Sequence, residues 1–281
     1  MFSMNRLSIE RRAQILSMMT EGNSMRAIAR MAGCAFNTVA KLLLDLGDAC
    51  AEHQDRTLRD LDCKQVQCDE IWSFVYAKAK NVPDGRKDEF GVGDVWCWVG
   101  IDADTKLVPS WLIGERKLSG CWQFLDDLRG RVNGRIQLST NAHQTYRGAV
   151  GLIFGGDVDW AQVIKEYQST QVAPGRYSPP ACTGMRVKVR LGDPDLSRAS
   201  TSYIERQNLA TRMHMRRFTR LTNGFSKKLE NHAASVAIHF MNYNFGRAHR
   251  SLATPYPRTP AMAAGVTDHI WTPAEIVSLA D

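Results

Sequence analysis

The chain has 281 residues, 44% of them hydrophobic and 23% charged, with a net charge of +7. That balance excludes a chain too polar to bury a core. No stretch is apolar over the roughly 18 residues a membrane helix needs. The first residues lack the apolar run of a secretory leader, so a cytoplasmic protein is expected. The cysteines at 34, 50, 63, 68, 97, 121 and 182 have no framework spacing and no CxxC, which points to reduced thiols.

The charge is unevenly placed. Between Arg206 and Arg250 nine basic residues face one acid, Glu230. Residues 1–45 hold six basic residues against Glu10, Glu21 and Asp45, so the rest of the chain is acidic. Basic ends around an acidic middle suit a polyanion partner.

In chain order, residues 8–46 read as three helices, in either a helix-turn-helix or a plain three-helix bundle. Ser8 precedes a helix with Ile9, Ala13 and Leu16 at helical spacing, and Ser24 precedes a short second one. Ala29 and Gly33 supply the small side chain and the bend that a tight helix crossing needs. The third helix then presents Asn37, Thr38 and Lys41, with Phe36, toward a major groove and keeps Val39, Leu42 and Leu43 inward. The predicted organisation is a helix-turn-helix domain over 1–50, a helical connector over 51–64 with the domain boundary near 50–62, a catalytic domain over 65–250 and a C-terminal tail over 251–281.

From Val66 the pattern alternates as strands do. Residues around 66–78, 95–105 and 106–115 read as an antiparallel meander. A helix follows at 118–132 with Trp122, Leu125 and Leu128 inward. A strand over 135–140, a helix over 143–155 and a fifth strand over 157–168 complete the order. Most of Trp72, Trp96, Trp98, Trp111 and Trp122 are expected in the core. This succession predicts an α/β fold, an RNase H-like mixed sheet with flanking helices, preceded by the all-α domain. Such a sheet supports phosphoryl transfer with two metal ions held by carboxylates on the first strand, after the fourth strand and on a later helix. Asp69 and Glu205 fill the first and third places, but the second holds Asn141.

The segments CDEIWSFV, VGIDADTKLVPSWLIG, RIQLST, RYSPPACTG, STSYIERQNLATRMHMRRFTRLTNGFSKKLENH, HFMNYNFGRAH and TPAMAAGVTDHIW, spread collinearly over about 64–272, resemble the DDE transposases of the bacterial Insertion Sequence One family. The resemblance implies that Asp69 and Glu205 bind metal and that Asn141 stands where the family has its second aspartate. It also implies two Mg²⁺ or Mn²⁺ ions, terminal inverted repeats and target as duplex DNA partners, and a homodimer or larger synaptic assembly.

Asparagine keeps the aspartate shape but removes a charge, so cleavage is expected to fall by at least about 100-fold while DNA binding persists. Asn208 and Arg212 follow Glu205 on one helical face, and Arg216 continues that line. With Arg217, Arg220 and His143 they are candidate DNA contacts. Tyr243 and Phe245, beside Arg247 and His249, carry a weaker signal of the same kind. Glu70 is expected on the opposite strand face from Asp69, and Asp102 and Asp104 in a turn. Asp157 and Asp159 are remote substitutes for residue 141. His232 and His239 are expected to pack rather than bind metal. Two readings remain: a transposase impaired at Asn141, and a DNA-binding protein derived from one. An RNA-processing nuclease leaves the helix-turn-helix unexplained.

Overall fold

The computed structural model describes residues 6–168, 181–219 and 222–281. Three N-terminal helices come first: α1 (Ile9–Thr20), α2 (Met25–Met31) and α3 (Phe36–Thr57). Ser8 and Ser24 cap α1 and α2 by accepting from Arg11 N and Ala27 N, which satisfies amides the first turn leaves open. The chain turns by 114° between α2 and α3. Gly33 lies in this turn at φ +57°, a conformation that favours glycine, and Ala29 is buried beneath it.

α3 continues without a break into the helical connector expected after it. Residues 47–57 show few apolar positions, yet Cys50, His53 and Gln54 recur on one face and are buried. The helix therefore runs unbroken through the expected boundary near 50–62 and packs along α7 (Leu229–Met241). Gly47 makes that approach possible, because a β-carbon there would overlap the β-carbon of Ala234.

Among the described residues the central sheet has six strands: β1 (Gln65–Val75), β2 (Gly93–Asp102), β3 (Ser110–Gly114), β4 (Ile136–Thr140), β5 (Val158–Gln168) and β6 (Ala181–Leu191). Their order is β3-β2-β1-β4-β5-β6. β1, β2 and β3 pair antiparallel, β4 runs parallel to β1, β5 parallel to β4, and β6 returns antiparallel to β5. The fold is thus mixed α/β with flanking helices, in the predicted order of elements. β6 is an addition the sequence reading lacks: Met185, Val187, Val189 and Leu191 do alternate with Arg186, Lys188 and Arg190, but most of the strand's side chains are exposed.

Strand alternation divides β1 between two layers. Val66 and Cys68 face α4 (Leu118–Arg129) and α5 (Thr145–Phe154), in a core with Trp98, Phe124 and Tyr146. Ile71 faces α6 (Ser202–His214) and α7, with Ile204, Phe218 and Phe240. The inward face of α4 is Cys121, Phe124, Leu125 and Leu128; Trp122, predicted inward, is 45% exposed. Of the five tryptophans expected to be mostly core, only Trp98 is fully buried, and the others reach the surface along the sheet and α4.

The C-terminal residues carry α8 (Pro260–Ala263) and α9 (Pro273–Ser278). α9 packs on α1, and its Ile276 and Val277 belong to the same apolar cluster as Ile15 and Leu16. Among the described residues no single helix is long and apolar enough to cross a membrane.

Candidate active site

Register builds the site. Cys68 of β1 lies beside Thr140 of the parallel β4, so Asp69 and Asn141 come next to each other at the carboxyl end of β4. Asp69 points to the α6 face. Its Oδ1 accepts from Asn141 Nδ2 at 2.5 Å and its Oδ2 from Asn208 Nδ2 at 2.9 Å. Glu205, one turn earlier on α6, accepts from Lys165 Nζ at 2.5 Å through both oxygens and from Thr201 Oγ1 at 2.7 Å.

Glu70 departs from the expected arrangement. Alternation does place it on the α5 side, where it is buried and accepts from Tyr146 OH at 3.4 Å. Yet Asn141 lies past the end of β4, between the two faces, and its Nδ2 also donates to Glu70 Oε2 at 3.2 Å. Arg116 supplies the balancing charge, with Nε donating to Glu70 Oε1 at 2.8 Å and the guanidinium standing 4.4 Å from the Trp96 ring centre. Neither Glu70, Arg116 nor Lys165 emerges from sequence reasoning as part of the site. The legible signal for Lys165 is a lone cation within β5.

Burial, and next the charge of Glu70, raise the Asp69 carboxyl to about 7. Burial works against the Lys165 ammonium, but its bonds to Glu205 outweigh that and raise it. His143 N donates to Asn141 Oδ1 at 2.9 Å, which fixes the amide orientation. The His143 ring is half-buried, 6.3 Å from Trp98 and 2.7 Å from Thr145 Oγ1. Burial lowers its pKa, so it is neutral at pH 7.

These residues do not fit the two Mg²⁺ or Mn²⁺ ions implied by the sequence. Hard cations need several oxygen ligands. Here residue 141 turns its oxygen toward His143 N and presents N–H to Asp69, while Lys165 already neutralises Glu205. Among the described residues no group of three His, Cys, Asp or Glu side chains could hold a metal ion.

The other candidates are dispersed. Asn37 and Lys41 are exposed and Thr38 is half-buried at the start of α3, and Lys41 pairs with Asp45 at 2.6 Å. Arg212 shares the α6 face of Glu205, but Nη1 donates to Phe218 O at 3.0 Å. α6 ends at His214, so Arg216 lies with Arg217 on a separate 3₁₀ turn and does not continue the predicted line. Arg216 is exposed. Arg217 is turned inward, donating to Ser226 Oγ at 2.8 Å and reaching Met25 Sδ at 3.2 Å, and its guanidinium joins α2 to the body rather than facing solvent. Arg220 lies outside the described residues, as do residues 176–180 of RYSPPACTG.

Phe245 is buried and unable to reach a ligand. Asp157 and Asp159 pair with Arg129 at 2.7 Å and Arg135 at 2.6 Å. Asp159 sits beside Gln137, at the opposite end of β4 from Asn141. Asp102 closes the predicted turn by accepting from Thr105 N at 2.8 Å, and Asp104 pairs with Arg198 at 2.6 Å. His232 and His239 are core residues whose pKa burial lowers to about 3.

No protein-family model matches the chain, and no curated protein does. Solved structures do. A pre-cleavage Mos1 transpososome matches at 10% identity and a TM-score of 0.23, over 57% of this chain and 61% of that one. A Mos1 strand transfer complex matches at 13% identity and a TM-score of 0.20, over 52% of this chain and 55% of that one. A Mos1 transposase paired-end complex with the left transposon end matches at 13% identity and a TM-score of 0.20, over 52% and 56%. The chain spans less than two thirds of each of these proteins.

Proposed function

We propose that the chain is a transposase of RNase H-like fold that binds the terminal inverted repeats of an insertion sequence through its N-terminal helices, with its strand-cleaving centre impaired by Asn141. The observation that carries this reading is that Asp69 meets Asn141 at the end of β4 and is bonded by Asn208 of α6, one turn from Glu205, whose charge acts on Asp69. Three residues far apart in sequence are thus gathered on neighbouring elements, as a carboxylate triad would require. The 114° turn between α2 and α3, with exposed Asn37 and Lys41 leading α3, suits a helix that enters a major groove.

The amide at residue 141 favours a second reading of the same molecule, a DNA-binding protein descended from a transposase. It donates two hydrogen bonds where an active centre needs an anionic oxygen. The two readings separate in one experiment. The purified chain and its Asn141→Asp variant are incubated with inverted-repeat duplex and Mg²⁺ or Mn²⁺, and binding and cleavage are both measured. Equal binding, with cleavage at least about 100-fold faster in the variant, supports the impaired transposase. Equal binding without cleavage by either supports the non-enzymatic descendant. Failure of both to bind duplex DNA overturns both readings.

A further inference from the structure

α6 has a second face. Glu205, Asn208 and Arg212 share the face that meets Asp69 through Asn208, whereas Arg206, Gln207, Ala210 and His214 lie around the opposite side. There they line a cleft of about 250 Å³ with Thr20 at the end of α1 and with Arg247, His249 and Arg250 beyond α7. Among the described residues no aspartate or glutamate lines it. Among the described residues Arg206, Arg247 and Arg250 have no carboxylate within ion-pair distance, and all three are exposed. Arg247 Nη1 donates to His214 Nε2 at 2.5 Å.

Gln207 adds an independent sign. It is 3% exposed, lines the cleft, and its Nε2 has no hydrogen-bond partner. A buried amide donor left unpaired costs about 1–3 kcal/mol, and a ligand oxygen would satisfy it. Uncompensated guanidinium groups around an unpaired N–H describe a receptor for an oxyanion.

We infer that this cleft is a second DNA-binding site, in which Arg206, Arg247, Arg250 and Gln207 hold a backbone phosphate of duplex DNA. A phosphodiester matches the donors in charge and geometry. The cleft lies between the end of α1 and α6, so a duplex engaged by α3 has a further anchor away from Asp69. Phosphate contacts position a duplex without reading its sequence. The inference rests on the proposed function only in taking DNA as the ligand.

The test measures anisotropy of two labelled duplexes, one with an inverted repeat and one of random sequence, across a range of salt. The proteins are the full chain, Arg247→Ala/Arg250→Ala, Arg247→Lys/Arg250→Lys and Gln207→Leu. The double alanine variant is expected to bind both duplexes about tenfold more weakly, by the same factor. Its slope of log K against log salt is expected to shrink by about 0.9 for each phosphate charge that is no longer neutralised. The lysine pair keeps the charge and restores the slope. Gln207→Leu weakens binding and leaves the slope unchanged, because a neutral donor releases no counterion.

Unchanged affinity and slope in the double alanine variant overturn the inference. So does inorganic phosphate raising the melting temperature of the wild type alone while duplex affinity stays equal, which marks a free-anion site. Tighter binding of an RNA duplex of equal length overturns the choice of DNA. Absence of cleavage by Asn141→Asp leaves these outcomes intact, so the two proposals fail separately.

Discussion

Asn141 Nδ2 reaches both Asp69 Oδ1 at 2.5 Å and Glu70 Oε2 at 3.2 Å, so one neutral amide steadies two adjacent carboxylates. Even so, burial, then Glu70, lift the Asp69 carboxyl from 3.8 to about 7. The folded state therefore binds a proton there that the unfolded chain releases near pH 4. The stability from that proton is fully present below about pH 4 and is lost as pH rises through about 7. Denaturant unfolding of the wild type and Asp69→Ala across pH 4–8 should differ by a pH-dependent amount that reaches up to about 4 kcal/mol. A flat difference would show that Asp69 titrates normally. Asp69, Asn141 and Glu205 are legible in the sequence because strand and helix order fix their places. Glu70, Arg116 and Lys165 are not, since only the third dimension shows that Asn141 sits between the two faces of β1 and that β5 reaches α6.

α3 and α7 meet where Gly47 touches Ala234, and this crossing ties the N-terminal helices to the sheet. In an exposed helix, Gly→Ala usually stabilises by about 0.5–1 kcal/mol. At Gly47 the new β-carbon would overlap Ala234 Cβ and stand 3.1 Å from its carbonyl oxygen. Backbone rather than a flexible side-chain end is in the way, so overpacking decides the sign. Gly47→Ala should destabilise by about 1–3 kcal/mol, read as a lower urea midpoint at unchanged m. A stabilised variant would mean the helices move apart freely.

Sequence patterns reveal α1, α2, the first half of α3 and β1 to β5, since each buries one stripe or face. They read the second half of α3 as a separate helical connector rather than its continuation, because polar Gln54 is buried only by donating to Cys50 O at 2.9 Å and Ala237 O at 3.0 Å. β6 does carry strand alternation over 185–191, yet it pairs with β5 through the backbone and leaves Met185 and Val189, on its apolar face, exposed.

At the scale of the molecule, composition and motifs suggest beads: a reader over 1–50, a catalytic body and a tail. Packing joins them. One apolar cluster runs from Ile15 in α1 through Leu46, Trp98 and Tyr146 to Val277 in α9. Arg12 fastens its two ends. It is 4% exposed, its Nη1 lies 2.7 Å from Asp281 Oδ1, and it donates to Val277 O at 3.1 Å. A buried guanidinium is stable only while such partners remain, and removing it strands the Val277 carbonyl and half the pairing of Asp281. Arg12→Ala should therefore cost about 1–3 kcal/mol and lower the melting temperature by roughly 5 °C. The whole transition should move, in the variant as in the wild type, with calorimetric and van't Hoff enthalpies equal. If residues 1–50 formed an independent unit, Arg12→Ala would instead split the endotherm, with the N-terminal helices melting first and the β-sheet signal unmoved. Scanning calorimetry beside far-ultraviolet circular dichroism distinguishes the two, because α1 to α3 are wholly helical and the strands lie only in the body.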